Sequence, residues 1–168
     1  MKTLIRFVFA VSLLGGTAHS QDADQIAWLV KGTPDPAAIE AHDGAGSFIF
    51  ATGEGIAIWH SRDRKSWKRI GRVFENTVPK WASRLIPKAD SVWAPDIQFH
   101  DGRYYLYYSV STFGSQRSVI GLATNTTLNP KSPHYNWEDR GLVLESFPDR
   151  NDYNAIDPAM FVDGDRGY

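Results

Sequence analysis

The chain has 168 residues, of which 42% are hydrophobic and 22% are charged, a composition typical of a globular protein rather than a disordered or membrane protein. Its formal net charge is −1 and no cluster of basic residues stands out, so nucleic acid is not expected as a partner. There is no cysteine, so the core must hold the fold without disulfides.

The first twenty residues have the pattern of a secretory signal peptide. Lys2 and Arg6 give a positive start, an apolar run follows from Phe7 to Leu14, and Ala18-His19-Ser20 forms a small-x-small cleavage site. A buried N-terminal helix is the alternative. Because the apolar run is too short to span a bilayer, we predict a signal peptide over 1–20, a secreted or periplasmic protein, and no membrane contact after its removal.

The sequence pattern of the mature chain, residues 21–168, predicts strands throughout and no helix. Short aromatic and β-branched runs alternate there with Gly, Asp and Asn turns. These runs recur in a fixed order at a period of roughly sixty residues. The first unit has a turn at 42–44, strands at 47–50 and 56–59, and then Trp67, Gly71 and Val73; the second has a turn at 100–102, strands at 104–108 and 119–123, and then Trp137, Gly141 and Val143.

A third unit opens at 157–164 with Asp157-Pro158-Ala159, which repeats Asp35-Pro36-Ala37 of the first unit. Units of four antiparallel strands at this period are typical of β-propeller blades, each of which buries its two faces against its neighbours. A β-sandwich is the alternative, but it gives no reason for the recurring Trp-x-x-x-Gly. We therefore predict an all-β propeller, present here as two blades and the start of a third.

Acidic residues at the starts of the innermost strands of a propeller converge on its axis. Asp35, Asp96 and Asp157 are predicted to occupy such positions. Convergent carboxylates can hydrolyse glycosidic bonds, since one protonates the leaving oxygen while another activates water or attacks the sugar. An isolated Asp-Pro is more often a turn starter, but two Asp-Pro-Ala motifs at matching positions favour chemistry.

Aromatic rings are a second feature of sugar-binding sites. Trp93 and Phe113 are predicted to lie near the axis from their place in the repeat. Four other tryptophans are interpreted as core residues: Trp59, Trp67, Trp81 and Trp137. The histidines have no metal-ligand spacing on one element, so we predict no metal site and no cofactor from them.

Four segments carry a family likeness: Ser91–Ile97, Tyr104–Gly114, Ile120–Thr124 and Tyr153–Ala159. As a set they resemble glycoside hydrolase family 43, in particular its endo-1,5-alpha-L-arabinanases, over roughly residues 30–168. The resemblance implies a five-bladed propeller, an inverting mechanism, and arabinan or arabino-oligosaccharides from the plant cell wall as the substrate. It also implies a monomer at full length, and it allows a structural ion near the axis.

The resemblance assigns roles to individual residues. Asp35 matches the general base, and Asp157 matches the carboxylate that modulates the pKa of the general acid and orients it. The residues matching positions that line the sugar cleft are Trp93, Phe113, Gly114, Asn154, Ala155 and Ile156.

Two departures from the family pattern stand out. Pro34 precedes Asp35 where the family often has His, and no residue matches the catalytic Glu, which the family carries on a later blade. Glu138 and Glu145 are predicted to follow the outer strands of the second blade, on the wrong side of the sheet. We therefore expect this N-terminal fragment to be inactive by itself.

The alternatives for the longer protein are an exo-arabinofuranosidase or beta-xylosidase of the same family, and a carbohydrate-binding propeller without catalysis.

Overall fold

A computed structural model describes residues 32–164 and 166–167. The predicted signal peptide, residues 1–20, therefore lies outside the described residues. The elements in chain order are β1 (Ala37–Glu40), β2 (Ser47–Ala51), β3 (Ala57–Ser61), β4 (Lys68–Arg72), α1 (Lys80–Leu85), β5 (Trp93–His100), β6 (Arg103–Val110), β7 (Ser118–Asn125), β8 (Glu138–Ser146), β9 (Val162–Asp163) and β10 (Arg166–Gly167).

The strands form two four-stranded antiparallel sheets, each in simple chain order: β1-β2-β3-β4 and β5-β6-β7-β8. A short antiparallel pair, β9 with β10, follows the second sheet. Each sheet is one blade of a propeller, with β1 or β5 innermost and β4 or β8 outermost. The predicted two blades and the start of a third are confirmed.

The core lies in the seam between the two blades. Strand β2 is buried along its whole length, and its Phe50 contacts the ring of Trp137 edge-on, with the ring centroids 5.6 Å apart. Strands β1 and β2 both contact β5. Because each sheet buries its aromatic face on its neighbour, neither blade closes a core of its own.

The local sequence explains the turns and bends of the blades. Asp101 and Gly102 join β5 to β6 with φ values of 45° and 73°, as a two-residue hairpin turn with both central φ values positive requires. The recurring glycines mark bulges. Gly71 lies opposite Ile58 and Gly141 opposite Leu122, each at a register shift in the outermost strand pair.

One element was not predicted from the sequence. Helix α1 follows Pro79 and contacts β7 and β8. Its Trp81 Nε1 donates to both carboxylate oxygens of Asp139, at 3.0 and 3.1 Å, and the Tyr108 hydroxyl donates to the same carboxylate at 3.1 Å. Burial, together with the nearby Asp139 charge, raises the pKa of Tyr108. A helix of six residues is too short to show a periodicity in the sequence.

Within residues 32–164 and 166–167, no helix has the length and apolar character needed to cross a membrane.

Candidate active site

Three residues occupy the same position at the start of consecutive blades. Asp35, Ala94 and Asp157 each precede a proline, and their φ values are 45°, 40° and 52°. A positive φ is uncommon for a residue other than glycine and costs on the order of 1–2 kcal/mol, so it persists only where the surrounding structure holds it. The first and third of these positions carry a carboxylate, and the second carries a methyl group.

Asp96 does not belong to this set, so its predicted equivalence with Asp35 and Asp157 is wrong. It lies two residues after the equivalent position, Ala94, and inside β5. Its Oδ2 accepts a hydrogen bond from the backbone N–H of Met160 at 2.8 Å. Asp96 therefore ties the second blade to the segment that begins the third.

Asp35 is exposed, and its one side-chain partner among the described residues is Thr52. The Thr52 hydroxyl donates to Asp35 Oδ2 at 2.8 Å, and the Thr52 backbone N–H donates to the carbonyl of Pro34 at 2.9 Å. The same hydroxyl accepts the backbone N–H of Ala94 at 2.8 Å. Asp35 is thus linked through Thr52 to the start of the second blade.

Asp157 has a related setting one blade further on. Its backbone N–H donates to the hydroxyl of Ser109 at 2.9 Å, and Ser109 pairs across the sheet with Trp93, the neighbour of Ala94. In the part of the chain that the structure describes, the Asp157 carboxylate accepts no hydrogen bond and is exposed to solvent. The contacts from Asp35 through Thr52, Ala94 and Ser109 to Asp157 place both acids at the same end of the blades.

The two predicted sugar-binding aromatics lie together near this end. The rings of Trp93 and Phe113 are tilted against each other with centroids 5.0 Å apart. Phe113 is 96% exposed, which is unusual for a phenylalanine. Gly114 follows it with a φ of 75°, in a turn closed by a 3.0 Å bond from the Ser115 N–H to the Thr112 carbonyl. The turn projects an apolar ring into solvent beside Trp93.

The residues predicted to line the sugar cleft at 154–156 hold the chain against the second blade. Asn154 Oδ1 accepts hydrogen bonds from Ser118 at 2.6 Å and from Ser146 at 3.4 Å, and the N–H of Ala155 donates to Ser146 Oγ at 3.0 Å. Ala155 is only 1% exposed. Ile156 is half-buried and lines a cavity of about 380 Å³ between this segment and the face of the second blade. These residues anchor Asp157 to the second blade.

The two glutamates that were set aside lie within β8 rather than after it, which corrects their predicted position. Glu138 pairs with Arg140, and Glu145 pairs with Arg117 at 2.9 Å. Both are on the outermost strand of the second blade, whereas Asp35 and Asp157 lie at the starts of the first and third blades. Neither is placed to serve as an acid at the axis.

Sequence reasoning missed Thr52 and Ser109, the hydroxyls that link consecutive blades. The recurring X-Pro dipeptide at 35, 94 and 157 could have identified the equivalent positions. No pattern in the sequence marks the two hydroxyl residues. Among the described residues, no group of three or more His, Asp or Glu side chains could hold a metal ion.

Comparison with known proteins agrees with this architecture. The sequence profile described as Glycosyl hydrolases family 43 matches residues 29–168. The extracellular exo-alpha-(1->5)-L-arabinofuranosidase ArbA of Cellvibrio japonicus is 53% identical over 117 residues, which cover 69% of this chain and 33% of the relative. The extracellular endo-alpha-(1->5)-L-arabinanase 1 of Bacillus subtilis is 38% identical over 135 residues, which cover 78% of this chain and 40% of the relative.

A solved structure gives the same result in three dimensions. The alpha-L-arabinanase of Cellvibrio cellulosa in complex with arabinohexaose superposes with a TM-score of 0.74 at 48% identity, covering 79% of this chain and 41% of that one. These matches identify the two blades as part of a five-bladed β-propeller. The chain belongs to glycosyl hydrolases family 43. It spans well under half the length of the two curated relatives described above.

Proposed function

We propose that this chain contributes two of the three catalytic carboxylates of a hydrolase that cleaves alpha-1,5-L-arabinofuranosyl bonds in arabinan with inversion. The observation that carries the proposal is the placement of Asp35 and Asp157 at equivalent starts of the first and third blades, both exposed and at the same end of the sheets. The names and bound sugar of the relatives supply the substrate class.

The chemistry follows from the position of each carboxylate. Asp35 accepts the proton of a water molecule as that water attacks the anomeric carbon, and the bond to the leaving oxygen breaks on the opposite face of the sugar. Asp157 adds a negative charge near a general acid, which favours the protonated form of that acid. The acid itself is proposed to be a glutamate on a later blade of the longer protein.

The test uses the longer protein that contains this chain, assayed on linear arabinan by release of reducing ends. Asp35→Asn should lower kcat by roughly 100- to 10,000-fold, the usual contribution of a general base. Asp101→Asn is the matched control, because Asn-Gly suits the same two-residue turn and lies at the far end of β5. Full activity in Asp35→Asn, with unchanged circular dichroism, would contradict the assignment of Asp35 as the base, whereas a wild type that binds arabinan without cleaving it would favour a binding propeller.

The stereochemistry of the product gives a second, independent readout. Proton NMR of the first anomer released should show the configuration opposite to that of the substrate. Retention of configuration would contradict a single-displacement mechanism.

The 168-residue chain by itself should show no turnover on arabinan, because its described glutamates do not lie at the blade starts. Turnover comparable to that of the longer protein would refute this reasoning.

For the mode of attack we propose endo action, as in the arabinanase of Bacillus subtilis. Exo action is a second candidate, favoured by the 53% identity to a relative named as an exo-acting enzyme. Chromatography of early products separates the two, because an endo enzyme releases a ladder of oligosaccharides and an exo enzyme a single short product. A chromogenic xyloside tests the beta-xylosidase alternative in the same preparation.

We further propose that the protein is exported, as the signal-like segment at 1–20 and the extracellular names of both relatives suggest. Amino-terminal sequencing of the secreted form should begin at Gln21.

A further inference from the structure

We propose that Thr52 is a positioning residue for the general base: its hydroxyl fixes one oxygen of Asp35 so that the other faces the attacking water. This inference rests on the proposed function of Asp35. Thr52 does not touch the substrate in this proposal, and it acts only through the carboxylate that it holds.

The direction of the two hydrogen bonds at the Thr52 hydroxyl is fixed by chemistry. The partner at 2.8 Å on one side is the backbone N–H of Ala94, which can only donate. The hydroxyl oxygen therefore accepts there, and its single proton is available for Asp35 Oδ2, also at 2.8 Å. A hydroxyl donor stabilises the ionised carboxylate, which is the form that a general base requires.

The backbone holds this arrangement from a second direction. The Thr52 N–H donates to the carbonyl of Pro34, the residue immediately before Asp35, at 2.9 Å. Asp35 itself has a φ of 45°, which leaves its side chain few orientations that avoid its own backbone. Asp35 Oδ1 has no hydrogen-bond partner among the described residues, so this oxygen is left to receive a proton.

The second blade shows which part of the arrangement is structural. Ser109 repeats the interblade bond by accepting the N–H of Asp157 at 2.9 Å. The residue of its own blade that is equivalent to Asp35 is Ala94, which has no carboxylate. The hydroxyl-to-backbone bond is thus common to both seams, whereas the hydroxyl-to-carboxylate bond exists where a base is proposed. That difference separates a functional contact from a general feature of the fold.

The experiment compares Thr52→Val, which keeps the shape and removes the hydroxyl, with Thr52→Ser, which keeps the hydroxyl. In the longer protein on linear arabinan, Thr52→Val should lower kcat by roughly 10- to 100-fold with KM changed less than about twofold, since a misdirected base impairs the chemical step and not binding. Thr52→Ser should restore kcat to within about threefold of the wild type.

Thr127→Val is a closely matched control. Thr127 Oγ1 also accepts a backbone N–H, that of Asn129 at 3.1 Å, and donates to a carboxylate, Asp43 Oδ2 at 2.8 Å. Asp43 lies beyond the opposite end of β1 from Asp35. Thr127→Val should therefore lower the melting temperature about as much as Thr52→Val while leaving kcat unchanged.

The outcomes separate this inference from the function on which it rests. If Asp35→Asn is inactive but Thr52→Val has normal kcat, Thr52 has no positioning role. If Asp35→Asn is fully active, the proposed function fails first. Should Thr52→Val not fold, Thr52→Cys serves instead, because a thiol donates only weakly and the sequence contains no other cysteine. Wild-type kcat in Thr52→Cys would then overturn the inference.

Discussion

Gly121 lies in the centre of β7 at a point where a single methyl group has no room. A Cβ built there would lie 2.5 Å from Tyr108 Cζ, 2.6 Å from its hydroxyl oxygen and 2.7 Å from Trp81 Cζ2. Ordinary carbon contacts are at about 3.5 Å, so the methyl group would overlap both rings by nearly 1 Å. Neither ring can move freely, because both are hydrogen-bonded to the Asp139 carboxylate.

Gly121→Ala should therefore destabilise the protein by about 2–3 kcal/mol. The steric term is typical of inserting a methyl group into a packed core, about 1–3 kcal/mol. Displacing the rings also weakens hydrogen bonds to a charged group, each worth about 1.5–3 kcal/mol when fully lost. This loss is partly offset, because replacing a glycine within a strand restricts the unfolded chain and raises the free energy of unfolding by about 0.5–1 kcal/mol.

Urea unfolding followed by tryptophan fluorescence measures the change, with the slope m compared between variants. In a Trp81→Ala background the cost of Gly121→Ala should fall by more than 1 kcal/mol, because one of the two opposing rings is absent. An unchanged or higher unfolding midpoint for Gly121→Ala, at the same m, would refute this account of how α1 is seated on the second blade.

Two further predictions address the rim of the cleft and the turns of the first blade. Phe113→Ala should raise KM for arabino-oligosaccharides several-fold in the longer protein but change the free energy of unfolding by less than about 0.5 kcal/mol, since the ring is 96% exposed; a large loss of stability would show that the ring is structural. The N–H groups of Ser66 and Lys65 and the Ser61 hydroxyl hold the pKa of Asp63 well below its usual value of 3.8. This stabilisation is present above pH 3.8 and is lost as the pH falls towards the lowered pKa, so the melting temperature of Asp63→Asn should lie below that of the wild type at neutral pH, with the gap shrinking below pH 3.8. A gap that stays constant into strong acid would contradict the role of the charge.

The repeat in the sequence was sufficient to predict the blades. Strand alternation and the recurring Trp-x-x-x-Gly depend on local geometry, and the structure explains the glycine of that motif as the bulge at Gly71 and at Gly141. Local rules also predicted the Asp101-Gly102 turn. Helix α1 was not predicted, because its six residues are stabilised by contacts with β7 and β8 rather than by helical periodicity.

The acids themselves could be read from the sequence, but their surroundings could not. Asp35 and Asp157 follow from the Asp-Pro motif, whereas Asp96 lies two residues beyond the equivalent position. The alternation of residues along a strand does not mark where the strand begins. A residue before proline does, because its backbone conformation is restricted. The bond from Thr52 to Ala94 joins residues 42 positions apart in the chain.

The sequence alone therefore determined the repeat, the four strands of each unit and the recurrence of Asp-Pro at Asp35 and Asp157, because these depend on neighbouring residues and on a fixed period. Only the tertiary structure decided which hydroxyl holds which acid, and that Ala155 is buried while Phe113 is exposed. Such contacts arise when separate blades are packed around one axis, and no local pattern encodes the distance between residues on different blades.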